Sequence, residues 1–324
     1  MQASRLTLLS ALAFALISGG AQADSWPAKP LRAVVPFAAG TLTDILPRIL
    51  FEQLSTQLGQ SIVVENRAGA GSTTAAGLVA RADADGYTLL VNSAAHTIAP
   101  ALHPTLSYDP VRDFAAVIPL GLAPSVLVVS PASGFKTVAE FVAAAKAKPG
   151  ALSFGSAGVG TATHLSAIRF LASAGIEAVH VPFKGGPEIL SEIIAGRIDF
   201  FLAPVGNALP LVQDGKLTAL VVNSTERSAA LAGVPTTAEA GFSDAEYPFW
   251  IGMFVPAKTP RSIVDSLHRE AAKALATAKV RDKFLALGVE PMPMSATDFD
   301  AFIANEIAAD AALVKAAGIK THRD

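Results

Sequence analysis

Four loops rich in glycine and other small residues are the features of this sequence that could do chemistry. They read PFAAGTLTD from Pro36, NRAGAGST from Asn66, GSAGVGT from Gly155 and PFKGGP from Pro182. Each precedes a helical pattern and so places free backbone N–H groups at a helix start, where they and the helix dipole bind anions. Turns from strand to helix also contain Gly and Thr for their geometry alone, whether or not they bind a ligand. Four such loops in one chain nevertheless favour a cleft that binds a small carboxylate.

Motifs for other chemistry are weak or absent. Gly155, Gly158 and Gly160 partly resemble a dinucleotide-binding fingerprint, but Thr163 stands where the last glycine belongs and no acidic residue closes the next strand. The chain has no G-x-S-x-G or H-E-x-x-H motif, and its six histidines lack metal-ligand spacing. We therefore expect no catalytic residue, no metal and no cofactor. An enzyme that acts on a carboxylate in the cleft remains an alternative.

The N-terminus has the pattern of a secretory signal peptide. An apolar run from Leu6 to Ile17 is followed by Ala21-Gln22-Ala23, an A-x-A cleavage site. The run is shorter than the roughly 20 apolar residues of a transmembrane helix. We predict that residues 1–23 are removed after Ala23 and that the protein acts in the periplasm.

Composition narrows the classes further. The formal net charge of −2 gives no basic face for nucleic acid, and no basic amphipathic segment suits a membrane surface. The absence of cysteine excludes thiolate nucleophiles, zinc–thiolate sites and iron–sulfur clusters. With 51% hydrophobic residues, a chain of this length can fill the cores of two domains without disulfides.

Strand and helix patterns alternate along the chain and predict two α/β units built on parallel sheets. The predicted strands span 31–36, 61–65, 87–91, 126–129, 152–155, 178–181, 198–202, 217–222 and 249–255. The predicted helices span 44–58, capped by Thr43, and 73–82, 137–147, 161–173 and 187–195, with one opened by Thr259 and Pro260 and another spanning 298–316. Thr137 and Glu140 form a capping box.

Pro and Gly residues between Pro119 and Pro124 separate the two units. The C-terminal strand and helices are too few for a third domain and should fold back onto the first unit. We therefore predict domain 1 from 24–123 plus 248–324 and domain 2 from 124–247, with two crossovers. This is the two-domain, Venus-flytrap architecture of periplasmic binding proteins, which close around a ligand by a hinge motion.

The sequence resembles one family in particular, the Bug or TctC-type receptors of tripartite tricarboxylate transporters. The resemblance runs from Trp26 almost to the C-terminus. It rests on ordered motifs: WPAKPLRAVVPFAAGTLTD, VVENRAGAGS, ADGYTLL, YDPVRDFAAV, HVPFKGG, GKLTALVVNSTERSAALAGVPTTAEAG and WIGMFVPAKTP. It implies a receptor that traps a small carboxylate between two domains and delivers it to membrane transporter subunits, and we expect a monomer. A sensor that presents its loaded form to a membrane kinase is the other binding role that the sequence allows.

The resemblance also implies which residues contact the ligand. Those on domain 1 are Phe37, Ala39, Gly40, Thr41, Thr43, Gly69, Ala70 and Ser93, and those on domain 2 are Ser156, Gly158, Thr161, Lys184, Gly185 and Ala203. Phe37 either stacks on an aromatic ligand or closes the core of domain 1. Lys184 either pairs with a second carboxylate or is a solvated surface lysine.

Two positions depart from the family pattern. Gly40-Thr41-Leu42 replaces the usual three glycines, so side chains crowd the first loop. Ala203 stands where family members that bind amino acids carry an aspartate, and a buried ammonium group without that partner would be costly. We therefore expect a dicarboxylate or an aromatic carboxylate rather than an amino acid.

Overall fold

The computed structural model describes residues 26–224, 226–247, 249–316 and 318–319. The predicted signal peptide, 1–23, lies outside the described residues. The described chain forms two five-stranded sheets, each covered by helices. None of the described helices combines the length and the apolar character that a membrane span requires.

The first sheet has the strand order β2-β1-β3-β10-β4. Its strands are β1 (Leu31–Val35), β2 (Ile62–Asn66), β3 (Thr88–Ser93), β4 (Phe114–Ala123) and β10 (Phe249–Pro256). Helices that follow these strands are α1 (Leu42–Leu58), α2 (Thr73–Ala80), α3 (Ala95–Leu102), α8 (Arg261–Ala276), α9 (Ala278–Ala286) and α10 (Ala296–Ala316). The C-terminal strand and helices therefore join the first unit, as predicted.

The second sheet has the order β7-β6-β8-β5-β9. Its strands are β5 (Ser125–Val129), β6 (Leu152–Ser156), β7 (Ala178–Pro182), β8 (Phe200–Pro204) and β9 (Thr218–Asn223). Its helices are α4 (Val138–Ala147), α5 (Ala162–Ala174), α6 (Gly186–Ile194) and α7 (Val205–Gln213). The capping box at Thr137 and Glu140 is present at the start of α4, as predicted.

Both sheets are mixed. The pairs predicted from the alternating strands and helices are parallel, β1 with β2 and β3 and β6 with β7 and β8, but the expectation of wholly parallel sheets was wrong. β10 runs antiparallel to β3 and β4, and β5 runs antiparallel to β8 and β9. These two are the strands that the chain enters just after it crosses from the other sheet. Among the described residues no α-helix precedes either strand as a crossover, and a strand needs such a crossover to enter a sheet in the parallel direction.

The segment interpreted as a Pro/Gly separator is part of a strand. β4 spans ten residues and includes Pro119, which pairs with Gly252. Proline lacks the N–H that a central strand needs, but β4 is at the sheet edge, where a missing donor is tolerated. The helices α3 and α7 were not predicted either; each is short and contains a proline, Pro100 and Pro210 respectively.

Helix α1 begins two residues earlier than predicted. Its first residue is Leu42 and its N-cap is Thr41, so the expected cap, Thr43, is instead a helical residue of the first turn. The consequence is that Leu42 and Thr43 both present their backbone N–H groups at the start of the helix.

The chain passes between the sheets twice. Only Pro124 separates β4 from β5, and the return lies between β9 and β10. On the return segment, the Tyr247 hydroxyl donates a 2.7 Å hydrogen bond to Oδ1 of the buried Asp310 on α10, whose Oδ2 accepts from Thr97 on α3 at 2.6 Å. These bonds fix the return crossover to the first unit. The predicted domain boundaries near 123 and 248 stay a prediction.

Candidate functional site

A cavity lies between the two sheets, at the carboxyl ends of their central strands. We call it the cleft cavity. Its volume is about 40 Å³, room for a few water molecules. Loops and helix starts from both sheets line it: Phe37, Thr41, Leu42, Thr43, Ser93, Ala157, Thr161, Ala162, Thr163, Gly186, Phe201, Pro204, Asn207 and Phe249. This is where ligands bind in open α/β sheets.

The first turns of four helices meet at the cleft cavity. α1 contributes Leu42 and Thr43, α5 contributes Ala162 and Thr163, and α6 and α7 contribute Gly186 and Asn207 respectively. Within the described chain, none of these four helices has a side-chain N-cap. Backbone N–H groups of a first turn have no partner within their own helix. At α7 the N–H of Val205 donates to the Pro124 carbonyl at 2.9 Å; the other first-turn N–H groups and the positive helix ends can face an anion.

No charged side chain lines the cavity in the described part of the chain. The positive potential therefore comes from helix ends, each equivalent to roughly half an elementary charge. Thr41, Thr43, Ser93, Thr161 and Thr163 place hydroxyl groups in the lining; those of Thr41 and Thr161 donate to the Ala38 and Gly158 carbonyls at 2.9 and 2.8 Å. The rings of Phe37, Phe201 and Phe249 form an apolar wall. Such a site suits a ligand with an anionic group and a small apolar body.

Two polar atoms at the cavity are buried without a partner. Ser93 is 1% exposed, and its Oγ has no hydrogen-bond partner among the described residues. The same holds for Oδ1 of Asn207 on the opposite side of the cleft. A buried polar atom left unsatisfied costs about 1–3 kcal/mol. The Ser93 hydroxyl can donate to an anionic ligand, whereas Oδ1 of Asn207 is an acceptor and needs a donor such as an ordered water.

The loop after β1 is held by a buried carboxylate. Asp44 accepts hydrogen bonds from Gly40 N at 3.0 Å, Arg48 Nε at 2.8 Å and Asn66 Nδ2 at 2.9 Å. Asn66 also donates to the Phe37 carbonyl at 2.9 Å. Because Arg48 pairs with this carboxylate, Asp44 fixes the loop without leaving an unpaired negative charge beside the cavity.

The loop after β6 is held by a pair of histidines. Gly160 N donates to Nδ1 of His164 at 3.1 Å, and His164 stacks on His180 with ring centroids 4.0 Å apart. Nε2 of His180 lies 2.6 Å from Oγ of Ser156. Burial, with a smaller effect of His180, lowers the pKa of His164 to about 3, and burial lowers the pKa of His180 to about 4. Both rings are therefore neutral near pH 7, and His164 supports the loop.

The structure brings some of the predicted ligand residues together and separates others. Those that line the cleft cavity are Phe37, Thr41, Thr43, Ser93 and Thr161. Gly185 lies beside them, because a Cβ built on it would be 3.6 Å from Cγ2 of Thr41. Ser156 is buried behind the loop that it supports, and Ala203 is buried in the core of the second unit.

The other predicted residues lie outside the cavity. Ala70 and Gly158 line a separate groove of about 610 Å³, which also contains Arg81. The remaining four are exposed: Ala39, Gly40, Gly69 and Lys184. The backbone N–H of Lys184 donates to Glu188 at 3.3 Å, which holds the fourth loop against the first turn of α6.

Nine of the lining residues were not among the predicted ligand contacts. They are Leu42, Ala157, Ala162, Thr163, Gly186, Phe201, Pro204, Asn207 and Phe249. Asn207 could have been found, because it follows the carboxyl end of a central strand, but α7 had to be recognised first. Among the described residues, no group of three or more His, Cys, Asp or Glu side chains could hold a metal ion.

Comparison with known proteins gives consistent matches. Residues 46–319 match the family described as tripartite tricarboxylate transporter family receptor. The UPF0065 protein of the tcbD-tcbE intergenic region of a Pseudomonas species is 37% identical over 290 residues, which cover 88% of this chain and 86% of that protein.

Solved structures agree with these sequence matches. R. palustris Rpa4515 with adipate is 33% identical, with a TM-score of 0.88 and coverage of 92% of this chain and 100% of that one. MatC (Rpa3494) from Rhodopseudomonas palustris with bound malate is 32% identical, with a TM-score of 0.83 and coverage of 89% and 99%. These likenesses confirm the predicted two-domain periplasmic-binding-protein fold.

His164 should make the free energy of unfolding depend on pH. The pKa of folded His164 lies below its unfolded value near 6.5, so its contribution to stability is fully present above pH 6.5 and is lost as the pH falls toward about 3. His164→Asn keeps an acceptor for Gly160 N but does not titrate. Between pH 7.5 and 5, urea unfolding should show that the wild type loses about 2 kcal/mol more stability than the variant. Identical losses would contradict this role.

Proposed function

This chain belongs to the receptor family of tripartite tricarboxylate transporters, and from that membership we propose that it captures a small carboxylate in the cleft cavity and delivers it to a membrane transporter of that type. The proposed ligand is a dicarboxylate or an aromatic carboxylate. Family members and similar structures are binding proteins rather than enzymes, and adipate and malate are present in two similar structures.

One observation supports the proposal most strongly: four helix starts without side-chain caps, in the described chain, converge on a cavity at which the Ser93 hydroxyl, which can donate a hydrogen bond, is buried without a partner. A carboxylate accepts several N–H and O–H hydrogen bonds at once, and it complements the positive helix ends. The aromatic wall then packs against the carbon body of the ligand.

An amino acid fits this cavity poorly. Its ammonium group needs an acceptor with negative charge, and no acidic side chain lines the cavity among the described residues. Ala203, in the strand next to the site, is fully buried in the core. An ammonium group closed into this cavity would be desolvated without a partner, which is unfavourable.

The proposed cycle begins with the sheets apart, because a cavity of about 40 Å³ is too small for a carboxylate with a carbon body; in the ligand-bound closed form the sheets lie slightly further apart than they do here. The ligand then joins the loops of both sheets and favours the closed form through its higher affinity for that form. We propose that the closed form docks on the transporter in the periplasm as a monomer, after cleavage of the signal peptide behind Ala23.

A sensing role would use the same cleft and a different partner. Capture of membrane proteins on the immobilised receptor, with and without the bound carboxylate, distinguishes the two: transporter subunits support delivery, and a membrane kinase supports sensing. Chemical change of a bound carboxylate during incubation would instead support an enzyme.

Removal of the Ser93 hydroxyl should weaken binding without loss of stability. Its Oγ has no partner among the described residues, so Ser93→Ala should leave the free energy of unfolding unchanged or raise it by up to about 1 kcal/mol. Calorimetric titration with the carboxylate that binds the wild type should show about 10- to 150-fold weaker binding, since one hydrogen bond to a charged group contributes about 1.5–3 kcal/mol.

Ser125→Ala is the matched control for that variant. Ser125 is also 1% exposed, and within the described chain its Oγ is also unpartnered, but it does not line the cleft cavity. It should bind like the wild type. Equal affinities for the Ser93 and Ser125 variants would contradict a ligand contact at Ser93.

Succinate and aspartate form a matched ligand pair, because they share a four-carbon dicarboxylate skeleton and differ by one ammonium group. Under the proposal the protein binds succinate at least about tenfold more tightly, because the ammonium would be buried without a partner. Calorimetry on ligand-free, refolded protein measures both constants. Aspartate that binds as tightly as succinate would show that the cleft provides an acceptor for the ammonium.

A further inference from the structure

The side chain of Leu42 lies at the cleft cavity beside the start of helix α7, whose Asn207 also lines the cavity. Leu42 is the first residue of α1 and is 1% exposed. It lines the cavity on one side. On the other side, its Cδ1 lies 3.2 Å from the point where a Cβ on Gly206 would be. Leu42 therefore extends from the first sheet across the cleft to the backbone of the second unit.

When the two sheets are together, as in this structure, the backbone beside Leu42 is closely packed. A Cβ on Gly206 would lie only 2.4 Å from the carbonyl oxygen of Leu287, so the start of α7 is in close backbone contact with the end of α9. Leu42 is also part of the main hydrophobic core of the first unit. Close-packed interiors of this kind yield little to an added group.

We propose that Leu42 sets the maximum length of the carboxylate that the closed cleft accepts. This inference rests on the proposed function, because it assumes that the ligand occupies the cleft cavity. The ligand's anionic group lies at the helix starts, and its carbon body extends until it meets the Leu42 side chain. A longer body could fit only if the sheets stayed apart, which would expose the apolar wall and weaken binding.

Leu42→Ala tests the proposal, with Leu50→Ala as the matched control. Leu50 is on the same helix, fully buried in the same core cluster, and outside the lining of the cleft cavity. Both variants lose the same atoms from α1 and should lower the melting temperature. Only the change at position 42 should alter which ligands bind.

The measurement is calorimetric titration of the three proteins with unbranched dicarboxylates of two to six carbons and with benzoate, phenylacetate and 3-phenylpropanoate. In Leu42→Ala the tightest ligand of a series should be longer by at least one carbon. The affinity ratio of long to short members should rise at least about tenfold, as expected for one methylene group in a pocket. Leu50→Ala should bind the members of each series in the same order of affinity as the wild type.

The outcomes separate this inference from the proposed function. If the wild type binds members of a series and Leu42→Ala keeps their order, Leu42 does not limit length and only this inference is overturned. If Leu50→Ala shifts the order as strongly as Leu42→Ala, a general loosening of the core is responsible, and this inference is again overturned. A wild type that binds no carboxylate in either series overturns the proposed function and this inference with it.

Discussion

The structure depends on one electrostatic constraint: first turns of helices that lack side-chain caps must be placed around a common point. Four helices meet this condition at the cleft cavity, in a lining that contains no charged side chain among the described residues. Arg or Lys side chains would bind an anion more simply, but they would also hold water and sample several rotamers. Backbone N–H groups are fixed by the helices, so the site needs little rearrangement when the ligand arrives.

The fold supplies this geometry twice. In each sheet the central parallel strands end at the same edge, and the helices that follow them start there. Buried groups then fix the loops: Asp44 with Arg48 and Asn66 on one side, and the neutral His164–His180 pair on the other. These braces contribute no charge to the cavity wall, so the helix ends determine its potential.

The sequence predicted the local features well and the distant ones poorly. The glycine loops and most element bounds follow from nearby residues, and so does the return of the C-terminal strand to the first unit. Phe249 could not be placed, because its position at the cavity depends on how strands far apart in the sequence pair and on how the two sheets face each other. Asn207 was missed because α7, a short helix that contains Pro210, was not recognised. β4 was not predicted because it contains Pro119, and a proline is acceptable there only because β4 is at the edge of its sheet. Leu42 was recognised as crowding the loop, but its contact toward Gly206 required the structure.

A crystal structure of the protein with a bound carboxylate would show which groups hold the anion. We expect the carboxylate oxygens to lie within hydrogen-bond distance of backbone N–H groups at the starts of α1 and α5, with a further contact to Ser93 or Asn207 and none to a charged side chain. A carboxylate found instead in the separate groove lined by Ala70 and Gly158, paired with Arg81, would contradict this expectation. The ligand would then be held by a side-chain charge, and the four helix starts would serve the fold alone.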